Sequence, residues 1–275
     1  MGHDTTAGGG LSPTGDLFRG AAWYYARYRP GYPPAFFDHV VARFRLDGSG
    51  RLLDLGCGTG QLTLPLARHV AEAVGMDPEP EMLAEAAAAA RAAGVGNVTW
   101  LEGGSDDLER LRPRLGLFRL VTMGASFHWM DREATLRQLE ELVLPGGGLV
   151  VTGSPSLWTR ANPWQRAVRE VIQRWLGEQR RAGSGAYRDP PERHEVVLAR
   201  SAFRRLEHYR LDYRAVRDID WIVGNLYSTS FASPAVLGAR RAGFERDLRA
   251  TLEALSPDGQ FEEEVALEAI LAWKE

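Results

Sequence analysis

The rhythm of hydrophobic and polar positions changes three times along the chain. Phe18, Ala22, Tyr25 and Tyr28 recur at three- to four-residue spacing, and Pro30 disfavours helical geometry just before it, so a first helix should stop near Arg29. Past the Pro30-Gly31-Tyr32-Pro33-Pro34 turn, Phe36, Phe37, Val40, Val41 and Phe44 outline a second amphipathic helix. Residues 16–46 thus read as an N-terminal helical cover. From Arg51 short apolar runs alternate with helical patterns, the signature of βαβ units and a mainly parallel sheet. Strands are predicted at Arg51–Leu55, Ala73–Met76, Val98–Leu101, Leu120–Met123 and Leu149–Thr152, with helices at Gln61–His69, Pro80–Ala93 and Arg132–Leu142. The alanine run Ala86–Ala90 reads as a small-residue helix packed close to the sheet.

Residues 154–200 break the rhythm and read as an insertion or lid. A strong helix carries Trp164, Val168, Val171, Ile172, Trp175 and Leu176, and a mobile loop is expected from Gly183-Ser184-Gly185 to Pro190-Pro191. Strand-like alternation returns over Arg204–Val216, helices follow around Asp220–Leu226 and Ser233–Leu255, and Val265–Trp273 makes a last strand. The expectation is an α/β domain over residues 16–275, preceded by a Gly/Thr/Ser-rich tail, residues 1–15, expected to be disordered.

Composition narrows the function classes. No segment approaches the ~20 apolar residues that span a bilayer. The first residues lack the basic start and apolar stretch of a secretory signal, which points to the cytoplasm. Cys57, the only cysteine, has no disulfide partner, and no Cys/His cluster has metal-ligand spacing, so no metal is expected. Lys274 is the only lysine among 33 basic residues, which removes Schiff-base chemistry and suggests the codon bias of a GC-rich bacterial genome. A formal charge of −3 provides no field to attract nucleic acid. Nothing in the pattern specifies an oligomeric state.

The chemistry concentrates in Leu52-Leu53-Asp54-Leu55-Gly56-Cys57-Gly58-Thr59-Gly60, an apolar strand running into a glycine turn that opens a helix. Glycines serve there because the backbone turns tightly, partly at positive φ, and lets a ligand approach closely. The third glycine comes one residue earlier than in the dinucleotide fingerprint, and Gln61 takes its place, which argues against NAD or FAD. Asp54 can bond a ligand ammonium or orient the loop amides. Asp77 ends the second strand, where a carboxylate accepts ribose hydroxyls. Ser105-Asp106-Asp107 follows the third strand, where an adenine edge would be held.

Asp54 to Gly60 with Asp77, the Gly104–Leu108 segment and Pro145-Gly-Gly-Gly-Leu149 resemble class I S-adenosylmethionine (SAM) dependent methyltransferases. Tyr25-Ala-Arg-Tyr-Arg-Pro-Gly-Tyr-Pro33 and Phe127-His-Trp-Met-Asp131 further resemble the small-molecule branch that includes trans-aconitate and ubiquinone-pathway methyltransferases. The resemblance covers residues 18–152 well and the rest thinly. It implies a Rossmann-like, seven-stranded, mainly parallel sheet with helices on both faces and an antiparallel last strand. It also implies that Asp54, Gly56, Gly58 and Gly60 face the methionine end of SAM, Asp77 the ribose, and Asp106 or Ser105 the adenine. The strand-four end around Ala125 and Phe127 would face the sulfonium, with Tyr25 and Arg29 closing over the cofactor carboxylate. Arg119 stands where family members often carry Asp.

His128, at the expected end of strand four, is the candidate general base, its ordinary pKa near 6.5 suiting proton removal near neutrality; its other role is to bond backbone and shape the pocket wall. Trp129, Trp158, Tyr24, Tyr28 and Tyr227 are candidates for an aromatic substrate pocket, or for core packing. His3, His39, His69, His194 and His208 read as surface or packing residues. The Arg180–Arg193 stretch reads as a solvated face or as a lid gripping an anionic group. The expected function is methyl transfer from SAM, leaving S-adenosylhomocysteine (SAH), to an oxygen or nitrogen of a small molecule of specialised metabolism. The same residues are compatible with a non-methylating reaction such as a cyclisation on the same fold, or with a non-enzymatic binding module. A nucleic-acid methyltransferase would want Asn/Asp-Pro-Pro-Tyr/Phe, and Asp189-Pro190-Pro191-Glu192 lacks the aromatic.

Overall fold

The computed structural model describes residues 18–153, 157–159, 162–182, 185–187 and 189–275. The expected tail, the first residues of the insertion (154–156), and Gly183 and Ser184 of the expected loop lie outside the described residues. Two helices open the chain, α1 (Ala22–Tyr28) and α2 (Pro34–Phe44), the second started by a proline at its first turn and ended by Arg45 in the left-handed region. Then come β1 (Arg51–Leu55), α3 (Thr63–Ala67), β2 (Glu72–Asp77), α4 (Pro80–Ala92), β3 (Val98–Glu102), α5 (Leu108–Leu115), β4 (Phe118–Gly124), α6 (Arg132–Leu142) and β5 (Val143–Gly153). The remaining elements are α7 (Pro163–Leu176), a short hairpin β6 (Arg181–Ala182) and β7 (Gly185–Ala186), α8 (His194–Ala199), β8 (Arg205–Asp218), α9 (Ile219–Tyr227), α10 (Pro234–Leu237), α11 (Arg241–Leu255) and β9 (Gln260–Trp273).

The main sheet runs β3-β2-β1-β4-β5-β9-β8. Its first five strands pair in parallel, and β9 pairs antiparallel with both β5 and β8. Strands buried on both faces need near-continuous apolar runs, and Leu52 to Leu55 and Leu120 to Met123 supply them, each interrupted by one buried polar residue, Asp54 and Thr122. Leu52 and Leu120 join one core with Phe36, Val40 and Leu66, while Leu53 and Val121 point the other way into a core with Leu108, Leu139 and Phe203. The chain order reverses between β1 and β4, and the crevice at their carboxyl ends is where open α/β sheets bind ligands.

The two long strands extend beyond this frame. β5 pairs with β9 only over Glu268 to Trp273, whereas β8 and β9 stay in register from Arg205↔Trp273 to Asp218↔Gln260. The free half of that ribbon, with α7, α9 and α11, encloses a third core containing Trp164, Ile172, Leu226, Phe244 and Phe261. The cover of the sheet is therefore larger than the insertion expected at 154–200, because helices from 219–255 belong to it. The expected single helix Ser233–Leu255 is broken at Gly238, whose φ is +53°. The helix α5 carries an internal Pro113 that hid it from a periodicity reading.

Candidate active site

A cavity of about 750 Å³ opens between the carboxyl ends of β1 and β4 and the cap, within the ~300–1,000 Å³ usual for small-molecule sites. The loop after β1 forms one end. Gly56, Gly58 and Gly60 have φ of +73°, +53° and +87°, where L side chains are strained. A Cβ on Gly56 would sit 2.5 Å from Ser126 Cβ, and Ser126 Oγ donates to the Leu55 carbonyl at 2.7 Å, so the β1 and β4 turns touch through glycine. Ala125, an exposed non-glycine residue at φ +53°, lines the cavity beside that contact. Such backbone strain persists where the surroundings over-determine it, and clusters at functional sites.

Asp54, at 1% exposure, lines the same end, its carboxylate accepting from Thr63 Oγ1 at 2.5 Å and Thr122 Oγ1 at 2.7 Å. Its partners are thus two hydroxyls that sequence reading did not single out. Burial raises the Asp54 carboxyl to about 6 against that hydrogen bonding. Asp77 accepts from the amides of Gly58 at 2.8 Å and Glu79 at 3.0 Å, and burial raises its pKa too. It stands behind the loop rather than on the cavity wall. Thr59 Oγ1 and Arg29 Nε are buried without a hydrogen-bond partner among the described residues.

Of the residues expected at the cofactor, Tyr25, Arg29, Asp54, Gly56 and Ala125 line the cavity. Gly58, Gly60 and Asp77 form the layer behind it. Ser105 is buried and Asp106 exposed in a turn beyond β3, and neither lines the cavity. The side chain of Phe127 lies in the core under the sheet, its ring 5.1 Å from that of His194.

Of the residues expected at the substrate, Trp129 and Trp158 line the cavity. Tyr24, Tyr28 and Tyr227 do not, because they dock α1 on α9. The Tyr24 and Tyr227 rings meet edge-on at 5.1 Å, and Gly224 leaves room for the Tyr28 ring, which a Cβ would meet at 2.4 Å. Tyr227 Oη donates to Glu245 Oε2 at 2.8 Å, and Arg241 Nη2 donates to Tyr24 Oη at 2.5 Å. The same interface holds Arg29, whose Nη2 donates to the Ser228 carbonyl at 3.2 Å.

His128 lies in the 3₁₀ turn after β4 and lines the cavity, its ring 4.6 Å from Trp129. Burial, helped by His194, Arg180, Arg29 and Arg132, pushes its pKa down to about 4, so the imidazole is neutral at pH 7. The ordinary value of 6.5 assumed from sequence does not hold here. His194, expected on the surface or in packing, lines the cavity and approaches Arg132 Nη1 at 3.2 Å. The arginine stretch divides. Arg180 lines the cavity with its guanidinium 3.6 Å above the Tyr187 ring and 4.0 Å from Asp189, while Arg193 is exposed beside Glu195. Phe18, which the sequence marked only as a helix-face residue, and Tyr187, which no pattern marked, also line the cavity, edge-on to Trp129 at 6.5 and 5.6 Å. Among the described residues no group of three or more His, Cys, Asp or Glu is arranged to hold a metal, and no helix is long and apolar enough to cross a membrane.

Comparison with known proteins agrees with this geometry. Residues 52–147 match the family described as Methyltransferase domain. Trans-aconitate 2-methyltransferase of Azoarcus sp. is 30% identical over 223 residues, 75% of this chain and 82% of that protein. An uncharacterized methyltransferase of Mycobacterium tuberculosis is 29% identical over 160 residues, 57% of this chain, and the match spans 59% of that relative's length. A SAM-dependent methyltransferase from Geobacter sulfurreducens, solved in complex with SAH, shares the fold with a TM-score of 0.51 at 17% identity, over 94% of this chain and 98% of that one. The chain belongs to the class I SAM-dependent methyltransferases, whose cofactor is SAM.

Proposed function

We propose that this chain transfers the methyl group of SAM to an oxygen or nitrogen of a small molecule held between the glycine loop and the cap. The observation that carries the reading is the continuity of the cavity, which joins Asp54 and the loop at one end, His128 and Trp129 along its side, and aromatic cap residues at the other. The site suits the cofactor. Asp54 and Arg29 offer opposite charges to an amino acid's ammonium and carboxylate, and Arg29 Nε is an unpartnered buried donor. A Cβ on Gly58 would press on the Tyr25 ring at 3.2 Å, so the cradle depends on glycine. In this reading Tyr25, Arg29, Asp54 and the glycine loop hold the methionine end and the turn at Ala125 the sulfonium side, with the ribose and adenine extending past the loop toward Asp77 and Ser105 or Asp106; Phe127, buried under the sheet, shapes that turn from behind.

When bound, SAM supplies a methyl group already activated on a sulfonium, so the protein's task is chiefly alignment. Trp129 and Trp158 wall the acceptor side, and aromatic faces tolerate an adjacent cation. His128 is neutral and can take the acceptor's proton on a ring nitrogen. With a pKa near 4 it is a weaker base than the optimum near working pH, so its larger contribution is to hold the acceptor's O–H or N–H in line. The concave site beneath the cap and the charge of −3 favour a small acceptor over nucleic acid. The acceptor belongs, in this reading, to bacterial specialised metabolism in the cytoplasm.

A thermal-shift titration with SAM, SAH and NAD tests the reading, since a ligand at 100 times its dissociation constant stabilises by roughly 2.7 kcal/mol. We expect SAM and SAH, and not NAD, to raise the melting temperature by several degrees. No shift with SAM or SAH would sink the proposal.

A further inference from the structure

The cap half of the cavity has a chemistry of its own. Its wall mixes large apolar side chains, Trp158, Trp164, Ile222, Phe231 and Leu267, with hydroxyl and amide groups such as those of Asn225 and Thr229. Two of its polar side chains stand at positions their own elements otherwise give to apolar residues. Along β9 the buried alternate positions read Phe261, Glu263, Val265, Leu267, and on α7 the buried face reads Trp164, Gln165, Val168. Glu263 is 6% exposed, Gln165 is 2% exposed, and both line the cavity.

The pair is braced. Gln165 Nε2 donates to Glu263 Oε1 at 3.4 Å, and Arg217 Nε, on β8, donates to Oε2 at 2.8 Å. Arg217 itself stacks 3.9 Å above the Trp221 ring. Burying a carboxylate is costly, and the Arg217 pairing offsets much of that cost while holding the carboxylate in one orientation. A carboxylate has about four lone-pair sites, so a buried carboxylate held in one orientation in the cavity wall favours a ligand that brings a donor to it. A ligand without one loses that bond and gains nothing in exchange.

We propose that Glu263, positioned by Gln165 and Arg217, is the recognition point of the methyl acceptor. The acceptor class is then an apolar, ring-bearing molecule with a hydroxyl or amine at the end remote from the methylated atom. The inference rests on reading this cavity as the acceptor site of a methyltransferase.

Three probes of one shape test it: 5-hydroxyindole, 5-aminoindole and 5-methylindole. Their dissociation constants are measured by ligand-detected NMR in the presence of SAH, and SAH binding is measured separately by calorimetry. We expect the wild-type protein to bind the hydroxy and amino probes about fivefold tighter than the methyl probe, the worth of one net hydrogen bond. Gln165→Leu should shrink that preference and Glu263→Leu should abolish it, with SAH affinity held within about twofold in both. Equal binding of the three probes by the wild type, or no binding of the donor probes up to millimolar concentration, overturns the proposal. So does a preference left intact in both variants. If Glu263→Leu fails to fold, the wild-type series and Gln165→Leu still decide. A wild-type protein that does not bind SAH defeats the methyltransferase reading itself, an outcome separate from equal probe binding with SAH in place.

Discussion

The two ends of the cavity are built on opposite principles. At the glycine-loop end, Asp54, Gly56 and Cys57 are near neighbours in the chain, and the backbone does much of the shaping through positive φ and close approach to Ser126. At the cap end, Trp158, Gln165, Tyr213, Trp221, Phe231 and Glu263 come from four separated stretches, and side chains do the shaping. A site made of backbone leaves a contiguous motif, because only certain residues permit the conformation. A site made of converging side chains leaves none, since each residue taken alone looks like core.

The sharpest way to break this comparison is Gly56→Ala. The added Cβ meets Ser126 at 2.5 Å at a φ of +73°, so we expect a loss of about 2 kcal/mol or more in stability and no SAH binding detectable by calorimetry. Retained SAH affinity would show that the loop tolerates a side chain and that the end is not shaped by backbone. Asp77→Ala is expected to be milder in folding and still severe in binding, lowering SAH affinity by an order of magnitude, roughly 1.4 kcal/mol, through loss of the bond to the Gly58 amide and of the proposed ribose contact. Unchanged calorimetric affinity would remove Asp77 from the cofactor site.

His128→Ala probes the border between the two ends. We expect single-turnover methyl transfer to fall about tenfold, less than the roughly 100- to 10,000-fold typical of a positioned acid–base group because its pKa is already near 4, with SAH affinity unchanged. The same residue has a pH signature. Its folded pKa lies below the ordinary 6.5, so between pH 6.5 and 4 the unfolded chain takes up a proton that the folded protein refuses, and stability falls with acid across that window. Melting curves at pH 7 and pH 5 should therefore differ less in His128→Ala than in the wild type. Asp54 works in the opposite sense. Raised to about 6, it holds its proton more firmly when folded, so its cost appears as pH rises from 3.8 to 6 and is complete above. The smallest effect is expected for Tyr227→Phe, which removes one hydrogen bond from α9 to Glu245 on α11, beside the α1–α9 interface. A loss of about 1 kcal/mol in stability, with SAH binding untouched, fits a docking residue, and a change in ligand binding would return Tyr227 to the pocket.

The parallel half of the fold was legible because its strands are buried on both faces and its helices present periodic apolar faces. Arg51–Leu55 was predicted at its observed bounds, and Arg132–Leu142 likewise. The start of β9 was not legible. Glu262, Glu263 and Glu264 interrupt the apolar alternation, and the inward-facing member of that run, Glu263, bonds the half-buried Arg217 on the neighbouring strand. Tyr24, Tyr28 and Tyr227 illustrate the reverse error. Aromatic residues near a glycine motif suggest a pocket, yet their rings pack one helix on another.

The sequence by itself determined the α/β class, the strands of the parallel half up to β5, the glycine loop and its flanking carboxylates, and the cofactor class these imply. Those features are local: strand periodicity and backbone permissiveness are properties of a few adjacent residues. Only the tertiary structure decided which aromatic rings face the cavity, that His128 is desolvated to a pKa near 4, that Arg180 is a wall residue and Arg193 a surface one, and that Glu263 meets Gln165 across the cap. Each depends on burial and on partners distant in the chain, and burial is set by how elements pack against one another rather than by their own composition.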